Sequence, residues 1–118
     1  MTLSEIRHIP SIDIEAYQAL ATLLNDEFNE IVSEFFNDTP VQISALCEAL
    51  SCNNLEVAKN ISHQLRSASG NLAMSALSKA FNVIEVSINN GSQLNSSEAK
   101  QVVTDEFERA QLTIKGLQ

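Results

Sequence analysis

The chain has no tryptophan, two cysteines, two prolines, three glycines and only seven lysines and arginines among its 118 residues, and each scarcity closes off a class of protein. With so little glycine and proline, the tight turns of a β-rich fold lack their usual residues, and long helices are favoured. Two cysteines cannot build a disulfide framework, and Cys47 and Cys52 would point to different sides of any helix that held both. His8 and His63 are distant from them and from each other, so no metal-ligand spacing arises, and neither metal nor cofactor is expected. Cys47 reads as a small buried hydrophobe and Cys52 as a loop thiol, both at home in a reducing cytoplasm.

Fifteen acidic residues against seven basic ones give a net charge of −8. A nucleic-acid binder needs concentrated positive charge to displace counterions from phosphates, and no Lys/Arg stripe supplies it. The same deficit argues against an anionic membrane surface. No apolar run approaches the roughly 20 residues of a membrane span, and the opening MTLSEIRHIP lacks a signal-length apolar stretch. Hydrophobic residues at 44% and charged residues at 19% match a soluble globular protein, here read as a single domain over 1–118 in the cytoplasm. The length leaves no room for a kinase domain beside it.

What is present is helical periodicity. Ser11 and Asp13 precede Ile14, Tyr17, Leu20 and Leu24, predicting a short first helix over about 12–24, with Asn25 as the turn and Asp26 as the next cap. Val32, Phe36, Ile43, Leu46 and Leu50 stay in phase across Pro40, favouring one long helix kinked at Pro40 over two separate ones. Phe28, Phe35 and Phe36 are core candidates, one of which is a candidate to stay exposed for docking. Ser51 to Asn54 is a polar break, and a third helix runs to about Leu72. Ser75 is read as the cap of a fourth, with Leu77, Phe81, Ile84 and Ile88 inside and Asn89, Asn90 and Gly91 at its end. Asn95 to Ser97 with Glu98 opens a fifth, with Val103, Phe107, Ala110, Ile114 and Leu117 inside. These elements predict an all-α fold, an antiparallel four-helix bundle with a short additional N-terminal helix.

The third helix carries the chemistry. Ala58, Ile61, Leu65, Ala68 and Leu72 form its buried stripe, and His63 stands about 200° from both Ile61 and Leu65, facing water. Its neighbours on that outer face are Lys59, Asn60, Arg66, Ser67 and Gly70. None is a carboxylate that could orient the imidazole as a catalytic base, so the face reads as a landing site for an anionic group delivered by another protein. A lone exposed histidine, such as His8, is by default a solvated side chain. The pattern around His63 sets it apart.

That pattern resembles a family signature. His63, Leu65, Arg66 and the small Ser67, Ala68 and Ser69 are similar to the motif of histidine-containing phosphotransfer (HPt) domains, and Leu77 with the pair Ile84 and Glu85 resembles the family's leucine and aliphatic-glutamate pair. Three positions depart: Arg66 replaces the family lysine, Ser67 its first glycine and Ala73 its second. Either Ala73 or Asn71 then takes the helix-ending turn that glycine usually supplies. The resemblance implies a stand-alone phosphorelay intermediate without kinase activity, in which His63 accepts a phosphoryl group from a receiver-domain aspartate and passes it to another receiver. Its implied partners are receiver domains of a hybrid sensor kinase and of a response regulator, with no nucleic acid, no membrane and the chain itself a monomer.

One turn on from His63, Arg66 is placed to hydrogen-bond phosphoryl oxygens. Gln64 offers an adjacent polar contact. Ser67 and Gly70 supply clearance for docking, and Lys59 is more a solvated charge than an essential contact. The alternative is a helical adaptor that binds a receiver or another signalling protein without carrying phosphate. A metal-binding bundle lacks the paired Glu and Glu-x-x-His ligands such sites use.

Overall fold

The computed structural model describes residues 1–117 and is all-helical among them. A 3₁₀ helix over Leu3–His8 is followed by α1 (Ile14–Leu24), α2 (Asp26–Ser51), α3 (Leu55–Asn71), α4 (Ser75–Asn89) and α5 (Ser96–Leu117). Each of α2 to α5 touches two of the others, in the cyclic order α2, α3, α4, α5, which is the predicted four-helix bundle. The largest fully buried side chains, among them Phe28, Leu46, Leu65, Leu77, Phe81, Ile84 and Val103, belong to one hydrophobic core.

Local sequence accounts for most of the boundaries. Asp13 accepts a hydrogen bond from the Ala16 N–H at 3.1 Å and caps α1, and Asn95 does the same for Glu98 N–H at 3.0 Å at the start of α5. α2 passes through Pro40 without a break. The fourth helix differs from expectation: its N-cap is Met74, and Ser75 is already the first helical residue, so no side chain caps it. Asp26 is likewise the first residue of α2, not its cap. None of the three phenylalanines of α2 is left exposed; Phe28 and Phe35 are buried, and Phe36 is half-buried in an edge contact with Phe107, ring centroids 5.3 Å apart. Leu117, expected inside, is exposed at the last position of α5.

The N-terminal 3₁₀ helix was not anticipated. It packs on α4 and α5 through Leu3 and the fully buried Ile6. Beyond it, Arg109 donates to the Ile9 carbonyl at 2.6 Å while its guanidinium pairs with the buried Glu106 carboxylate, and the Ser11 and Thr113 hydroxyls lie 2.7 Å apart. The Asp13 N–H then donates to the Ala73 carbonyl at 2.9 Å, fastening the start of α1 to the α3–α4 turn. That turn uses Ala73 at φ +63°, one of the two candidates for the glycine's place.

Asn25 carries the sharper strain. Between α1 and α2 it sits at φ +53°, ψ −128°, the backbone region of the first central residue of type II′ turns, where glycine is the ordinary residue. Its side chain is exposed and makes no cap hydrogen bond. Relief of backbone strain of about 1–3 kcal/mol exceeds the roughly 0.5–1 kcal/mol that glycine adds to unfolded-chain entropy. Asn25→Gly should therefore raise the free energy of unfolding by about 1 kcal/mol in a urea titration, whereas a decrease would mean the α1–α2 turn has a different conformation.

Candidate functional site

His63 lies in the middle of α3 with its side chain 56% exposed, as its spacing predicts. The helix is rotated, however, relative to a wheel drawn through Ile61 and Leu65. Ser62 and Ser69 are fully buried, whereas Ile61 and Ala68 are only half-buried. Both serine hydroxyls are satisfied within the helix, donating to the Ala58 carbonyl at 2.7 Å and the Leu65 carbonyl at 2.6 Å. Small, self-satisfied side chains let α4 approach closely, and α3 and α4 form the most extensive helix pair. Gly70 belongs to the same contact. A Cβ there would fall 3.1 Å from Ser78 Oγ, so its lack of a side chain serves helix approach. The Ser78 hydroxyl in turn donates to the Arg66 carbonyl at 2.9 Å.

The rotation turns the flank of His63 toward α4, and a carboxylate is waiting there. Glu85 Oε2 lies 2.7 Å from His63 Nδ1, and the Glu85 side chain is only 12% exposed. This overturns the expectation that no carboxylate orients the imidazole. Glu85 arrives from the next helix, outside the face that the α3 spacing describes. Its signal was legible: a glutamate four residues after Phe81 and three before Ile88 sits beside an apolar stripe, where an ionised side chain needs partners.

Arg66 is the second partner. Its Nε lies 3.1 Å from Glu85 Oε1, an ion-pair distance, but the N–H is not aimed at the oxygen and that buried donor makes no hydrogen bond. Its Nη2 lies 3.2 Å from His63 Nδ1. Carboxylate and guanidinium thus converge on one ring nitrogen, and they demand opposite things of it. A carboxylate only accepts, and a guanidinium only donates. The 2.7 Å contact is the shorter and charge-assisted one, which assigns the proton to Nδ1 and leaves Arg66 as an electrostatic neighbour whose N–H groups remain available. The lone pair of neutral His63 then resides on Nε2, on the exposed side of the ring.

Lys59, one turn before His63, is exposed and forms no ion pair among the described residues. Gln64 and Ser67 are exposed on the same outer surface, and the hydrogen-bonding neighbours of the imidazole among the described residues are Glu85 and Arg66 instead. The cysteines are free: Cys47 is half-buried in a groove between α2 and α5, where burial pushes its thiol pKa up, and Cys52 is exposed. No group of three or more potential metal ligands occurs among the described residues.

The tautomer assignment is directly measurable. Imidazole ¹⁵N shifts of neutral His63 should report Nδ1 protonated and Nε2 bare, and Glu85→Gln should redistribute the proton between the two nitrogens while lowering stability by about 1–2 kcal/mol. A neutral ring protonated at Nε2 in the unaltered protein would contradict the assignment.

An exposed imidazole nitrogen, backed by a carboxylate and flanked by a guanidinium on the middle of a four-helix bundle, can take up an anionic electrophile that another protein presents. Comparison with curated proteins and with solved structures finds no match. A family model, that of the Hpt domain, matches residues 30–113, which include all of α3 and α4. The chain therefore belongs to the Hpt domain family, whose members carry out histidine phosphotransfer in two-component phosphorelays, as phosphocarriers rather than kinases, in contact with receiver domains.

Proposed function

We propose that the chain is a phosphorelay intermediate in which His63 Nε2 accepts the phosphoryl group from a receiver aspartate and returns it to the aspartate of a second receiver. The observation that carries this reading is the Nδ1 contact to Glu85 at 2.7 Å beneath an exposed ring. In the forward step the P–O bond of the acyl phosphate breaks, the N–P bond to Nε2 forms, and the receiver carboxylate leaves with the bonding pair. Nucleophilic attack leaves positive charge on the imidazole, and the Glu85 carboxylate compensates it through the Nδ1 proton. Glu85 acts here as a positioning residue. Arg66, held beside the ring and unable to deprotonate, is assigned to the phosphoryl oxygens.

Ser67 provides room for the receiver, one turn from the nucleophile, and Lys59 and Gln64 border the docking surface. The proposed donors and acceptors are receiver domains of a hybrid sensor kinase and of a response regulator. The proposed setting is the cytoplasm, with the chain a monomer. The free cysteines agree with such a setting, and no helix among the described residues is long and apolar enough to cross a membrane.

Incubation with a phosphorylated receiver tests the reading. His63→Gln should fold and accept no label, and the unaltered chain should stay unlabelled with ATP and Mg²⁺ alone. Arg66→Ala should slow transfer or shorten the phosphohistidine lifetime at least about tenfold, the weight of one charge-assisted hydrogen bond, with Arg66→Lys much milder. Label on His63→Gln, or equal rates and lifetimes across the Arg66 series, would remove the assigned roles.

At Ser67 the reading separates docking from folding. Ser67→Gln should change stability by no more than about 0.5 kcal/mol while receiver affinity and transfer fall together. Unchanged transfer in that variant would place the docking surface elsewhere.

A further inference from the structure

Two seams between neighbouring helices of the bundle are closed. Small residues close α3–α4, and the chain's own 3₁₀ helix covers α4–α5, burying Leu3 and Ile6, three residues apart, while Arg7 shares a cavity with Glu98 and Asp105. The seam between α2 and α5 is open. A furrow of about 770 Å³ follows it from Pro40 to Ser51 on α2 and from Ser96 to Gln111 on α5, with buried Ile43 and half-buried Cys47 and Phe107 as its floor. At Gln111 it meets a second cavity of about 190 Å³ that continues past Phe36 to Asn29. The two together span residues 29–51 of α2, about 33 Å at the helical rise, a length that suits an elongated occupant rather than a compact small molecule.

The margins of the furrow are acidic, with apolar side chains exposed beside them. Val41 on α2 is 74% exposed and Leu112 on α5 is 69% exposed, each within about 60° of a lining residue, Ser44 and Glu108 respectively. Glu48 and Glu108 line the furrow itself, and Glu30 and Asp105, each one turn from a lining residue, extend the negative charge outward. These four carboxylates stand against the ammonium groups of Lys100 and Lys115. Pro40 adds one more acceptor, because it has no N–H and leaves the Phe36 carbonyl without its usual donor. An occupant must therefore bring apolar surface for the floor and positive charge for the margins. The neighbouring seam shows the same chemistry in miniature: apolar side chains three apart against the core, and a guanidinium beside acidic residues of α5.

The geometry points to a docking site for an amphipathic helix of a partner protein, one that lays apolar side chains three and four residues apart along the α2–α5 furrow and carries lysine or arginine on both flanks. Two packed helices offer the ridge of a third a furrow of this kind, and the acidic margins select its charge. The site lies away from His63. Helix α5 is diagonal to α3 in the bundle and the imidazole leans on α4, so an occupant of the furrow leaves the ring uncovered. A helix of this kind joined to a receiver or to its kinase raises that partner's local concentration without competing for the phosphoryl site. Only this last consequence rests on the reading of His63 as phosphoryl carrier; the binding itself does not.

The two free cysteines read the site directly. Cys47 lies in the floor of the furrow, and the exposed Cys52, outside its lining, is the internal control. The native full chain is treated with iodoacetamide, with and without a synthetic helix-forming peptide of about 20 residues, leucines on one face flanked by lysines, and alkylation at each cysteine is followed by mass spectrometry. Saturating peptide should slow alkylation of Cys47 at least tenfold and leave Cys52 unchanged, whereas a glutamate-flanked version of the peptide should protect neither. Glu48→Lys/Glu108→Lys, altered only at exposed positions, should reverse the preference between the two peptides. Val41→Ser/Leu112→Ser, which leaves the charges in place, should weaken binding of the lysine peptide about tenfold. With a phosphorylated receiver that labels the unaltered chain, saturating lysine peptide should leave the transfer rate unchanged. Equal protection of both cysteines or of neither, protection by the glutamate peptide, slowed alkylation of Cys47 as the chain itself is concentrated without peptide, or loss of transfer on peptide binding would each overturn the proposal. Should no receiver label the unaltered chain, the phosphotransfer reading fails, while the thiol measurement still decides the furrow.

Discussion

Glu85 is held almost out of water on α4, and a buried carboxylate is unfavourable unless charged or donor groups meet it. Here His63 Nδ1 and Arg66 meet it from α3, so the geometry of the histidine depends on how closely the two helices approach. That approach rests on small residues. Ser62 and Ser69 fill the α3 side of the contact with hydroxyls already satisfied by their own helix, and Gly70 leaves space for Ser78. Larger residues at these positions would push α4 outward and separate the carboxylate from the ring.

The same contact joins stability to chemistry. A surface ion pair contributes little to folding, but a nearly buried carboxylate with two partly exposed partners organises both. Because Arg66 can only donate and Glu85, when ionised, can only accept, the two cannot share Nδ1 as equals, and the shorter contact decides the tautomer. The consequence is an imidazole whose solvent-facing nitrogen is the nucleophilic one. The arginine departs from the family lysine, yet its fork lets one end lie near the carboxylate while the other lies near the ring.

Most of the helices were legible in the sequence because their apolar periodicity is strong. The run through Pro40 kept its phase, and α2 is one helix. Asn95 and Asp13 announced their caps through side chains that accept from the first turn. Less legible was whatever depends on two segments at once. The 3₁₀ helix has no long periodic pattern, being held by Ile6 in the core and by Arg109 from the far end of the chain. The phase of α3 differs by a fraction of a turn from the one its apolar residues predict, since serines do not register as core residues in a hydrophobic count although Ser62 and Ser69 are fully buried. His63, Arg66 and the family were read from one segment, but the contact of Glu85 with them required the pairing of α3 with α4.

The isomer of the phosphohistidine tests the central claim most directly. After transfer from a phosphorylated receiver, ³¹P NMR of the intact protein distinguishes phosphate bound to Nε2 from phosphate bound to Nδ1. With Glu85 holding the Nδ1 proton, a single resonance of the Nε2 isomer is predicted. Phosphate on Nδ1, or an acyl phosphate in place of phosphohistidine, would contradict the account.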